Sequence, residues 1–148
     1  IGSSVINGAL DEIYQSKYKH LDEHLCLRSF PQNIADPATR KAKWTRYREE
    51  IITENGIAIF MFGNKVDAGT TVVANGCLEE FEIAKKHGRI IIPIGSTGYA
   101  AKKIWEEIKD DTANYSYLSG YMDLLGEETD IQKLAAIVVE IAKTERNV

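Results

Sequence analysis

The stretch Ile59-Phe60-Met61-Phe62-Gly63-Asn64-Lys65, IFMFGNK, decides how this chain folds. It closes an apolar run, Ile57 to Phe62, that follows the turn pair Asn55-Gly56 and stops abruptly at Gly63. A short apolar run, partly β-branched and aromatic and bounded by turn residues, is the pattern of a fully buried parallel strand. In open α/β sheets ligands sit beyond the carboxyl ends of the strands. Lys65 is then a cation placed where a ligand would lie, and Gly63-Asn64 lets backbone N–H groups approach it. The formal net charge of the chain is -4, so this cation is a local choice.

Working outward, the apolar periodicity alternates between helix and strand. Ile6, Ala9, Leu10 and Ile13 form a helical stripe over Val5 to Tyr14, with Ser3 or Ser4 placed to cap it. Leu25-Cys26-Leu27 reads as a short strand ended by Pro31, with Arg28 at its end and a polar loop through Pro37 beyond it. A second helix is expected from Ala38 to Glu54 with Trp44, Tyr47, Ile51 and Ile52 inward, and a loop from Val66 to Asn75 after the Ile57 strand. That loop carries Gly69 and has no strong period, which suits a mobile segment over a pocket. A third helix, Gly76 to His87, is expected to bury Cys77, Phe81 and Ala84, and Arg89 to Ile94 is a further buried strand. A fourth helix shares Ala101, Ile104, Trp105 and Ile108 on one face, and Asn114 to Gly120 is a loop. A last helix aligns Ile131, Leu134, Ala135, Val138 and Ile141. The class is α/β, a Rossmann-like parallel sheet with helices on both faces. Three strands are few for such a sheet, and the start, Ile1-Gly2-Ser3-Ser4, lacks an initiator Met. Both point to a chain beginning inside a longer protein, with strands upstream.

Composition narrows the function. The 148 residues suit one domain, and 44% hydrophobic content is ordinary for a globular protein. No apolar run approaches the roughly 20 residues of a membrane helix, and the acidic balance argues against a nucleic-acid surface. Cys26 and Cys77 have no CxxC spacing and read as reduced thiols of a cytoplasmic protein. His20 and His24 are spaced like ligands on one helix face, but no third ligand is evident, so they read as surface residues.

Three βα junctions fall on one edge of a parallel sheet: Gly2-Ser3-Ser4, Gly63-Asn64-Lys65, and Ile94-Gly95-Ser96-Thr97-Gly98-Tyr99. Such turns are either phosphate loops at helix N-termini or ordinary turns with Ser and Thr caps. Arg48, on or beside the buried stripe of the second helix, is either a snorkelling side chain paired to a core carboxylate or a fork for a phosphate. Glu79 and Glu80, in the first turn of the third helix, either favour its dipole or accept from ribose hydroxyls.

Taken in order, LRSFPQ (Leu27 to Gln32), YREEI from Tyr47, IFMFGNK, GCLEEF from Gly76 and IPIGSTGY (Ile92 to Tyr99) resemble one family over nearly the whole chain. It is the SLOG domain at the carboxyl end of the NAD-consuming effectors of Thoeris anti-phage systems. The resemblance implies a sensor without cofactor or catalysis of its own. Its ligand would be a cyclic ADP-ribose isomer made by a TIR-domain protein, its neighbour in cis a SIR2-like NADase domain, and its assembly a homo-oligomer. By motif, the family's ligand-gripping arginine, lysine and glutamate match Arg48, Lys65 and Glu80, and Gly2-Ser3-Ser4 resembles its second phosphate loop. The rival is a LOG-like nucleoside monophosphate phosphoribohydrolase. Its PGGxGTxxE loop is not reproduced here, where the strand end reads FGNKVDAGTT.

Overall fold

Ile90-Ile91-Ile92-Pro93-Ile94 forms the buried centre of the fold. In the computed structural model, which describes residues 2–16 and 25–146, this strand pairs in parallel with the Ile57 strand. The chain divides into two compact units, residues 1–35 and 36–148.

In the first unit, α1 spans Gly2–Gln15. It therefore starts earlier than the apolar stripe indicates, and Ser3 and Ser4 lie inside its first turn and do not cap it. Residues 25–35 are irregular, so the strand expected at Leu25-Cys26-Leu27 is absent. Cys26 and Leu27 are exposed, and a half-buried sheet residue would need a face to cover it. His20 and His24 lie outside the described residues.

The second unit runs α2 (Pro37–Thr53), β1 (Ile57–Met61), β2 (Asn64–Asp67), β3 (Thr70–Val73), α3 (Asn75–Lys86), β4 (Ile90–Ile94), α4 (Tyr99–Asp110), α5 (Met122–Glu127) and α6 (Ile131–Arg146). It is α/β, with a parallel sheet flanked by helices. Asp36 caps α2 by accepting from the Thr39 N–H at 2.7 Å, and Pro37 sits where a missing N–H costs nothing.

The pairing register sets Ile57 beside Ile90 and Met61 beside Ile94. β4 is buried as expected, but β1 is buried on one face only. Phe60 packs edge-on against Phe81, whereas Ile59 and Met61 are 45% and 36% exposed. The outer edge of β4 is closed. The Tyr117 hydroxyl accepts from the Ile91 N–H at 2.9 Å and donates to the Ile91 carbonyl at 3.0 Å, and two residues on Pro93 has no N–H to offer. Tyr117 belongs to a short 3-10 turn, Ser116–Leu118, within the segment expected to be a plain loop. Burial and the bond to the Ile91 backbone act oppositely on the Tyr117 phenol, burial wins, and its pKa is pushed up to about 12.

The loop expected from Val66 to Asn75 is a β-hairpin. β2 and β3 pair antiparallel with Asp67 opposite Thr70, and the Ala68-Gly69 turn between them has φ of 46° and 79°. Two consecutive positive φ values match the right-handed twist of the strands. The Ala74 N–H donates to the Gly63 carbonyl at 2.8 Å and closes the hairpin's base.

The core joins Phe60, Phe81, Ile91, Ile92, Ala101, Ile104, Ile108, Leu118 and Leu125. Cys77 is only half-buried, and Ile83 takes its expected place beside Phe81 and Ala84. In α6 Leu134 and Ile141 are buried, but Ile131 is 80% exposed, so the apolar stripe starts a turn later than its sequence pattern.

Candidate functional site

Arg48 is the buried residue of α2, at 9% exposure, while Trp44, Tyr47, Ile51 and Ile52 around it are half-buried. Its guanidinium lies against Gly76 in the first turn of α3 and reaches Glu79 and Glu80 beyond it. Nη1 lies 3.1 Å from Glu79 Oε2 and Nε lies 3.3 Å from Glu80 Oε1. Gly76 makes room for it, since a Cβ there would come within 2.5 Å of Arg48 Nη2. A cation beside a helix N-terminus opposes the helix dipole. The two glutamates offset that cost, but they lie beyond the first turn where the sequence placed them, because the helix already begins at Asn75.

This contact forms the floor of a cleft of about 420 Å³ between α2, the hairpin and the start of α3. Arg40, Lys41, Trp44, Arg48, Lys65 and Glu79 contribute its charged and aromatic lining. Trp44 stands between two guanidinium groups, with the Arg40 and Arg48 carbons 5.8 Å and 6.0 Å from its ring centre. Lys65 reaches the cleft from β2, half exposed, with Asp67 3.9 Å from its ammonium. Both expected cations, Arg48 and Lys65, thus line one cavity. Glu79 faces it with them. The Thr45 hydroxyl donates to Glu79 Oε1, so this carboxylate is held from α2 by two side chains.

Glu80 lies on the other side of the guanidinium, in a groove lined by Ile51, Ile52, Ile59, Met61 and Cys77. Burial holds its carboxyl above the ordinary carboxylate range; Arg48 pulls the other way and Glu79 pushes with the burial. Burial likewise pushes the Cys77 thiol up.

The two later junctions meet, as expected of parallel strands. Thr97 Oγ1 accepts from the Phe62 N–H at 2.7 Å and donates to the Ile94 carbonyl at 2.6 Å, and the Ala101 N–H donates to the Phe62 carbonyl at 3.1 Å. The Thr97 hydroxyl therefore ties the end of β1 to the end of β4. Phe62 and Tyr99 both have positive φ, 57° and 52°, at these ends. Backbone held in that sparsely populated region tends to gather at functional sites. Gly63, at φ 76°, passes so close to α4 that a Cβ would meet the Ala100 Cβ at 2.6 Å. Gly95 is covered by Trp105, whereas Gly98, at φ 80°, faces open space before α4. Asn64 is exposed at the start of β2. Gly2, Ser3 and Ser4 in the first turn of α1, and the exposed Arg28, belong to the 1–35 unit.

Sequence reasoning did not single out Arg40, Lys41 or Gly76. A cation one turn before Trp44 and a glycine opening a helix were the available signals. Among the described residues no group of three His, Cys, Asp or Glu side chains could hold a metal ion. No helix among them is long and apolar enough to cross a membrane.

The model of the Sir2- and TIR-associating SLOG family, STALD, matches residues 1–145. An NAD(+) hydrolase ThsA of Acinetobacter baumannii is 43% identical over 121 residues, covering 78% of this chain and 25% of that protein. The ThsA of Bacillus cereus is 38% identical over 115 residues, with 78% and 23% covered. That of Cytobacillus dafuensis is 42% identical over 107 residues, with 72% and 22% covered. The chain spans about a quarter of the length of these curated relatives.

Proposed function

The chain belongs to the Sir2- and TIR-associating SLOG family, and from that premise we propose that it is the ligand sensor of an anti-phage NAD(+) hydrolase. The ligand is a cyclic ADP-ribose isomer produced by a TIR-domain protein. Its binding activates a SIR2-like NADase domain of the same polypeptide, within a cytoplasmic homo-oligomer. The sensor needs no cofactor and does no chemistry itself.

The observation that carries this reading is the cleft in which Arg48 and Lys65 stand together. In an acidic chain, cations from two walls of one cleft favour a compact anion, and a pyrophosphate supplies one. Trp44 on the same wall as Arg48 offers an aromatic face to a base or ribose. The family's motif assigns the ribose hydroxyl to Glu80, which pairs with the same guanidinium from the neighbouring groove.

The test is NAD(+) cleavage by the full-length protein with and without cyclic ADP-ribose isomers, beside an incubation of the present chain with AMP. Ligand-dependent NAD(+) loss, with AMP and the cyclic nucleotide recovered intact from the chain, supports the sensor. Release of adenine from AMP by the chain would replace it with a phosphoribohydrolase.

A further inference from the structure

Arg48 faces two carboxylates across the α2–α3 contact, Glu79 at 3.1 Å and Glu80 at 3.3 Å. One positive charge therefore meets two negative ones. A phosphate delivered to that guanidinium enters a site already supplied with anions. The two glutamates are not equivalent. Glu80 is turned into an apolar groove, whereas Glu79 lines the same cleft as Arg48 and Lys65. A ligand phosphate bound to Arg48 from the cleft would therefore meet Glu79 first.

Glu79 is also a tie between helices. Its two oxygens take one partner each from α2, the Thr45 hydroxyl and Arg48 Nη1. Arg48 also pairs with Glu80, and further contacts from α2 to α3 and the strand after it lie nearer the surface. Lys86 Nζ bonds Glu49 at 2.8 Å, His87 Nε2 lies 3.5 Å from the same carboxylate, and Arg89 donates to the Thr53 carbonyl at 3.0 Å. Exposed pairs of this kind hold little. The partly buried Thr45–Glu79–Arg48–Glu80 set is the specific one, and within it Glu79 is the member that lines the cleft.

We propose that Glu79 is an internal competitor of the anionic ligand: it occupies Arg48 in this structure, and a phosphate that takes Arg48 from it removes one tie between α2 and α3, leaving the Thr45–Glu79 bond and the Arg48–Glu80 pair. This rests on the cleft being the ligand site. It assigns Glu79 a role opposite to that of an ordinary contact residue, because removing its charge should strengthen binding. It also supplies the differential contact that a ligand-driven shift requires, since the carboxylate is paired with Arg48 in one state and displaced from it in the other. Glu79 acts through Arg48 and is a positioning residue.

The experiment titrates the purified protein with inorganic pyrophosphate and with cyclic ADP-ribose. It compares the wild type with Glu79→Gln, Glu79→Asp and Arg48→Ala. Glu79→Gln keeps an acceptor for Thr45 but drops the charge. It should tighten binding of both probes by about tenfold, the lower end for a charge-assisted hydrogen bond. Glu79→Asp restores the charge and should return affinity to the wild-type range. Damage to the fold cannot produce a gain of this kind. Equal or weaker binding by Glu79→Gln, with Arg48→Ala weakened as well, overturns the competitor and leaves the cleft as the site. Wild-type affinity in Arg48→Ala overturns both. A wild type that binds neither probe still leaves a decisive arm, because the competitor requires Glu79→Gln to gain pyrophosphate binding, and its failure to do so ends the proposal.

Discussion

Helices α2 and α4 belong to the same body but are attached to it by different forces. α4 is seated by Ala100, Ala101, Ile104 and Ile108, each at most 1% exposed. α2 buries an arginine, and its specific ties to α3 are the Arg48 pairs, the Thr45–Glu79 bond and the Glu49 pairs. Apolar packing is dense, non-directional and hard to exchange. Ion pairs can be exchanged for others of the same sign. A ligand phosphate can replace a glutamate at Arg48, but nothing in water can replace the contacts of Ile104. The helix beside the cleft is thus the one whose attachment a charged ligand can rewrite.

The largest effect is expected on the apolar side. Ile104→Ala should cost about 2–5 kcal/mol of stability in urea unfolding, by lost transfer energy and a residual cavity. The loss should be the same in low and high salt. A loss below about 1 kcal/mol would mean that α4 is not the rigid partner.

A smaller effect should appear at α2. Raising the salt concentration should increase amide exchange in α2 and leave α4 unchanged, because screening weakens exposed pairs such as Lys86–Glu49, each worth about 0–1 kcal/mol. Equal responses in the two helices would remove the distinction.

The smallest expected effect is a pH slope. Burial raises the Glu80 carboxyl above its ordinary value of 4.5. A folded value above the unfolded one means that the folded state holds the proton longer. Stability is therefore gained as pH falls through the folded value towards 4.5 and lost as pH rises through that window. Glu80→Gln should abolish this slope. Parallel stability curves for wild type and variant just above pH 4.5 would show that the carboxyl is not perturbed.

Where burial is apolar, the sequence was readable. The Ile90 strand, the helix holding Phe81 and Ala84, and the stripe of Ala101, Ile104 and Ile108 follow from period and branching. Arg48 was readable because a charge on an apolar stripe needs a partner. The β2–β3 hairpin was missed because β2 is exposed throughout and leaves no apolar period; the short Ala68-Gly69 turn was its one local mark. The strand at Leu25 was expected from composition alone, with nothing to test whether a sheet face receives it. The division between Glu79 and Glu80 was out of reach for another reason. Neighbours on a helix point about 100° apart, and which of them faces the cleft depends on how α3 is rotated by its packing under Phe60.

The most direct test of the account is a calorimetric titration of a cyclic ADP-ribose isomer into wild type and Lys65→Ala. Lys65 is half exposed and paired only loosely with Asp67, so its loss should leave the fold intact and report on binding. The account predicts saturable binding by the wild type and a roughly ten- to hundredfold weaker affinity in Lys65→Ala, the loss of one charge-assisted contact of about 1.5–3 kcal/mol. Undiminished affinity in that variant would contradict the assignment of the ligand to the α2–α3 cleft.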